Sequence, residues 1–132
     1  MMMASSEITL GITHQNLFKV EVIHLANHLG SGALPVLATP ALIAWMENTA
    51  METVAPFLPS TDTTVGTSIA IKHLKASPVH AEITCHATVT EIEGRRIRFE
   101  IKAFDAQKNL VSEGTHERFV VDAERFMQKL IG

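Results

Sequence analysis

Two periodicities divide the chain, a helical one around its middle and an alternating one through most of the rest. Near the start, Phe18, Val20 and Val22 share one face with Lys19 and Glu21 between them, which predicts a short strand. Residues 1–16 lack such a pattern and are expected to form a loosely packed N-terminal arm of a single domain spanning 1–132. Gly30, Ser31, Gly32 and Pro35 predict a loop over 27–35. From Thr39-Pro40 to about Phe57, Leu42, Ile43, Trp45, Met46, Ala50, Met51 and Val54 describe a helix that is apolar nearly all round. Such a helix must be enclosed by the rest of the fold. Thr39 suits its N-cap and Pro40 its first turn, where a missing N–H costs nothing. Pro56 and Pro59 end it.

Beyond Thr64 the period is two. Val65, Thr67, Ile69, Ile71 and His73 read as one face of a strand. Ile83, Cys85, Ala87 and Val89 alternate with Glu82, Thr84, His86 and Thr88, and Ile97, Phe99, Ile101 and Ala103 alternate with Arg96, Arg98, Glu100 and Lys102. Glu93-Gly94-Arg95 and the stretch from Asp105 to Asn109 predict turns, and Leu110 to Val121 a last strand. Asp122 is placed to cap a short terminal helix through Leu130. A long apolar helix followed by an antiparallel meander is an α+β order in which the sheet wraps around the helix.

Charge and composition then exclude several functions. Eleven Lys plus Arg against fourteen Asp plus Glu, with six Phe, one Trp and no Tyr, argue against a phosphate-backbone or base-stacking surface for nucleic acid. The single cysteine, Cys85, excludes an internal disulfide, and its place between Ile83 and Ala87 predicts an inert core thiol. No stretch approaches the ~20 apolar residues of a membrane span. The start of the chain shows no basic-then-apolar leader pattern, so a soluble, cytoplasmic protein is expected. His24 and His28 have the spacing of a metal pair but no third ligand, and no metal site is expected.

Two polar residues stand out against this background. Glu47 falls in line with Ile43, Met46, Ala50 and Val54. A carboxylate on that stripe loses hydration and must be paired or poised as a general base, unless it sits at the stripe's edge and reaches solvent. His73 ends the Val65-to-Ile71 face, which should look toward the helix and so share a layer with Glu47. Its alternative is a core-edge histidine tied to a carbonyl. Gly66 offers an N–H to an oxyanion without a Cβ in the way, or simply marks a bulge. Arg118 could hold a phosphate, although its spacing does not single it out.

Thr39 eight residues before Glu47, Gly66-Thr67 opening a strand, His73 near its end, Glu93-Gly94-Arg95-Arg96 and Gly114-Thr115-His116-Glu117-Arg118 together resemble the fluoroacetyl-CoA thioesterase family of hot-dog proteins. The resemblance covers about Leu37 to Leu130. It implies a hot-dog fold and a homodimeric acyl-CoA hydrolase with no cofactor beyond the coenzyme A of its substrate. It also implies a catalytic set on Thr39, Glu47 and His73, an oxyanion-side glycine at Gly66 and a substrate-side arginine at Arg118. Gly30, Ala33 and Leu34 stand where the fluoroacetyl-specific enzyme has a phenylalanine lid. Gly30 and Ala33 are expected beside the acyl group; the resemblance implies generic thioester hydrolysis and leaves the identity of the acyl group open. The expected roles are Glu47 as base or transient nucleophile, His73 as carbonyl polariser or proton donor to the thiolate, and Thr39 as orienter. An open sheet edge covered by a second protomer would complete the pocket. The competing reading is a non-catalytic acyl-CoA-binding or sensing module.

Overall fold

A computed structural model describes residues 7–132. Its elements are β1 (Thr13–Lys19), a one-turn helix α1 (Ala26–Leu29), α2 (Thr39–Val54), β2 (Asp62–His73), β3 (Glu82–Glu93), β4 (Arg96–Asp105), β5 (Leu110–Asp122) and α3 (Ala123–Ile131). Short 3₁₀ turns occupy Val22–His24 and Ala55–Phe57. All strand pairs are antiparallel, in the order β1-β3-β4-β5-β2, so β1 and β2 are the sheet's edges.

The alternation on β3 and β4 builds the core. Ile83, Cys85, Ala87, Val89, Ile97, Phe99, Ile101 and Ala103 are buried in one cluster with Leu42, Met46, Ala50 and Val54 of α2. Each large side chain so buried contributes about 1.5–3 kcal/mol. Thr49 and Thr53 are also buried, and donate their hydroxyls to the carbonyls of Trp45 and Thr49 at 2.8 and 2.7 Å. The helix can therefore be enclosed on most sides without an unpaired polar atom. Burial pushes the Cys85 thiol up to about 12. At the far end, Asp122 Oδ1 accepts from the Arg125 N–H at 3.0 Å and caps α3.

The N-terminal region differs from its sequence pattern. Residues 1–6 of the expected arm lie outside the described residues, but Thr13 to Asn16 are not loose: they belong to β1, which pairs with β3 from Thr13 opposite Thr88 to Lys19 opposite Glu82. The strand was obscured because its inner face is polar. His14 and Asn16 alternate with Phe18 on that face, and Asn16 Nδ2 donates to Asn48 Oδ1 and Glu52 Oε1 of α2 at 3.1 and 3.0 Å. Phe18 stacks on Trp45 with ring centroids 4.9 Å apart. The expected strand at Phe18 to Val22 gives way to a 3₁₀ turn after Val20. The expected loop at 27–35 begins inside α1, which ends on Gly30, whose φ of 83° is the left-handed conformation a helix C-cap needs, and is irregular from there on.

Candidate active site

Thr39 does not cap α2. Ala38 occupies the N-cap, no side chain caps the helix, and Thr39 Oγ1 lies instead 2.8 Å from His73 Nδ1 at the end of β2. Pro40 in the first turn spares the helix one orphan donor, which lets the threonine hydroxyl serve elsewhere. His73 is half-buried, and burial holds its pKa below the ordinary histidine value, against a smaller opposing effect from the Lys75 backbone. The ring is therefore neutral at pH 7, with one N–H and one lone pair. Its Nε2 is buried and has no hydrogen-bond partner among the described residues. The pair borders a cavity of ≈ 360 Å³ that Ala26, Ser31, Leu37 and Lys75 also line.

A second polar group gathers around Gly66. On β2, Gly66 faces Arg118 of β5 and Ser68 faces Glu117, so Thr67 is an extra residue in a β-bulge. The bulge reverses the parity of the strand. Thr64 and Gly66 share the inward face with Ile69, Ile71 and His73, whereas Val65 and Thr67 do not, contrary to the simple alternation. A Cβ at Gly66 would sit 2.7 Å from Glu47 Oε2 and 3.3 Å from both Arg118 Nη1 and His116 Cε1. Only a glycine allows these three side chains to converge. Arg118 is buried; its Nε donates to Thr64 Oγ1 at 2.8 Å, its Nη2 to the Thr64 carbonyl at 2.9 Å and its Nη1 to His116 Nε2 at 3.1 Å. His116 Nδ1 donates to the Ser68 carbonyl at 2.7 Å. Burial lowers the pKa of both Arg118 and His116, and the nearby Glu47 charge opposes that in each.

Within one chain, Thr39 thus meets His73, and Glu47 reaches Gly66 with the Arg118 charge nearby, but Glu47 and His73, although on the same side of the sheet, are not brought together. Thr39 and Glu47 stand about 12 Å apart along the axis of α2, eight residues at the helical rise. Arg118 is not free to take a phosphate with its fork, because Nε and Nη2 are both spent on Thr64. Gly30 and Ala33 are exposed, and Ser31, not either of them, lines the cavity beside Thr39. The residue missed by sequence reasoning is His116, which is 1% exposed at the centre of the Gly66 cluster. Its signal was its position two residues before Arg118, on the same face of β5.

A model of the fluoroacetyl-CoA-specific thioesterase family matches residues 20–124. The chain belongs to this family. It is 34% identical over 95 residues to the fluoroacetyl-CoA thioesterase of Streptantibioticus cattleyicolor, a match covering 72% of this chain and 68% of that protein. A variant of a fluoroacetyl-CoA thioesterase, solved in complex with acetyl-CoA, superposes with a TM-score of 0.87 at 27% identity, over 93% of this chain and 96% of that one. A hot-dog-like protein from Thermanaerovibrio acidaminovorans gives a TM-score of 0.81 at 25% identity, over 93% of each chain. The five-stranded sheet around α2 is accordingly a hot-dog fold. All the candidate residues from Gly30 to Arg118 fall inside the segment that matches the fluoroacetyl-CoA-specific thioesterase family.

Proposed function

We propose that this family member is an acyl-CoA thioesterase acting on a short acyl-CoA, with Thr39, Glu47 and His73 as its catalytic set. The observation that carries the reading is the Thr39–His73 hydrogen bond beside a cavity, with the other histidine nitrogen unpartnered among the described residues. A neutral histidine anchored through Nδ1 can use Nε2 either to polarise a thioester carbonyl or to manage the proton of the departing thiolate. Glu47, half-buried against Gly66 and facing the Arg118 charge, is suited to activate water or to attack the carbonyl itself. The Gly66 N–H, on the same stretch of β2, is our candidate donor to the developing oxyanion.

The two clusters cooperate only if a second copy bridges them, and β2 is an edge strand whose Gly66, Thr67 and Ser68 are exposed. Antiparallel pairing of two β2 edges about a two-fold axis through Ala70 would set Gly66 of one protomer across from the partner's His73, once the bulged Thr67 is passed over. We therefore propose a homodimer whose sites are each shared between protomers.

The test is thiol release from a panel of short acyl-CoAs, with Glu47→Gln and His73→Ala each expected to cut turnover by ~10² or more. Refolding the two inactive variants together should restore about a quarter of wild-type activity, because half of the dimers are mixed and each holds one intact site. No recovery would mean that the sites are not shared. Ligand-dependent thermal stabilisation without any wild-type turnover would instead identify a binding module.

A further inference from the structure

We infer that His116 is a positioning residue for this site: by bridging the Ser68 carbonyl to Arg118 it fixes the β2 bulge and the guanidinium that faces Glu47. The inference rests on the reading of Glu47 as a catalytic group. His116 is buried on β5, with its ring stacked on Phe99 at a centroid distance of 6.1 Å. Both of its nitrogens are committed, and each in one direction only. The Ser68 carbonyl has no proton, so Nδ1 must donate to it; the Arg118 Nη1 has no lone pair, so Nε2 must accept. A single species, the neutral Nδ1–H tautomer, satisfies both contacts.

The consequence reaches Glu47 through two short links. Ser68 closes the bulge that begins after Gly66, so the bond from Nδ1 determines where the Gly66 backbone lies. Arg118 Nη1, held by Nε2, comes within 3.3 Å of the point at Gly66 that lies 2.7 Å from Glu47 Oε2. Thr64 grips the opposite edge of the guanidinium, so His116 and Thr64 together hold it from both sides. The charged groups that face the ring are Arg118 on its own strand and Glu47 from α2, while Glu117, on the opposite face with Arg96 and Arg98, acts on it only at longer range. From β2 and β4 the Gly66 and Ser68 backbone and the Phe99 ring lie against it. A second proton on the ring would set an N–H against Arg118 and open that link.

Two variants and one spectroscopic measurement test this. His116→Phe keeps the ring volume and loses both hydrogen bonds; His116→Asn keeps a donor for Ser68 but is too short to reach Arg118. In the wild type, nitrogen chemical shifts at pH 7 should report His116 as the neutral Nδ1–H tautomer, and the Arg118 Nε–H should exchange slowly. In His116→Phe that Arg118 proton should exchange faster, and kcat should fall about tenfold or more while KM stays within about threefold. His116→Asn should give an intermediate kcat. An Nε2–H tautomer or an imidazolium at pH 7, or His116→Phe with an unchanged Arg118 resonance, overturns the inference. Absence of wild-type turnover defeats the hydrolase reading alone, since the tautomer and the Arg118 exchange are read without substrate.

Discussion

Gly66→Ala separates the structural duty of this glycine from its chemical one. Its φ lies outside the left-handed region, so alanine adopts the same backbone without strain. Restricting the unfolded chain then stabilises the fold by about 0.4–1 kcal/mol. Against this, the added methyl would meet Glu47 Oε2 at 2.7 Å, which is about 0.7 Å inside ordinary contact. Arg118 Nη1 and His116 Cε1, at 3.3 Å, need to give far less and are hydrogen-bonded in place. The displacement therefore falls on the flexible Glu47 carboxylate. Net stability should change by less than about 1 kcal/mol, a shift in Tm of no more than about 5 °C. Activity should respond quite differently, since misplacing a reacting group by about 1 Å costs on the order of 10²-fold. With a short acyl-CoA, kcat is expected to fall about 10- to 100-fold. Thermal melts and thiol-release kinetics on the same preparation read the two effects separately. Wild-type kcat in Gly66→Ala would refute the reasoning, because it would mean that the position of Glu47 against Gly66 does not matter. A fall in Tm far beyond that range would show that the glycine is needed for folding instead.

Two further outcomes follow from the same geometry. Thr39→Val keeps the side-chain shape but leaves His73 Nδ1 without its partner; kcat should drop at least about tenfold, Thr39→Ser should recover most of it, and equal activity in all three proteins would remove Thr39 from the mechanism. His73 and His116 both have pKa values held below 6.5 by burial, so the unfolded chain binds protons first as pH falls, and stability is complete above about 6.5 and declines below it. Urea midpoints should therefore be lower at about pH 5.5 than at 7.5, with a smaller difference in His116→Phe; the lowered carboxyls of Asp105 and Glu52 act only at more acid pH. A flat profile across that interval would contradict the buried, neutral histidines.

The parts of the fold that were legible in the sequence are those where burial and periodicity coincide. β3 and β4 were readable residue by residue because one face of each is wholly apolar, and α2 because Leu42, Met46, Ala50 and Val54 leave it nowhere to go but inside. β1 is hard to read for the opposite reason: its inner residues are tied by polar atoms, His14 to Asn16 and Asn16 to Asn48 and Glu52 of α2, which an apolar pattern cannot report. The candidate site was half legible. Thr39 and His73 were singled out, and they do meet, although Thr39 was expected to cap the helix it now leaves uncapped. Glu47 and His73 both look into the space between sheet and helix, but they do not meet, because the Glu47 carboxylate reaches β2 at Gly66, roughly 20 Å along the strand from His73. The bulge at Thr67 changes the facing only of the residues up to it, Val65 and Thr67 against Thr64 and Gly66. His116 is hidden among seven histidines because what sets it apart is a bond to Ser68 on β2 and the nearby Glu47 charge on α2, neither of which its own strand's pattern reports.

The lone thiol of Cys85 has a practical meaning for all of these measurements. It is fully buried between β3 and the central helix, and its pKa is pushed up to about 12, so a folded molecule is silent toward reagents that detect coenzyme A as it is released. Each molecule that unfolds uncovers one thiol. The chain is thus its own stoichiometric counter: a fast signal that scales with substrate reports turnover, and a slow one that saturates at a single equivalent per chain reports opening of the core. A variant that has lost chemistry and one that has lost its fold are told apart in the same cuvette.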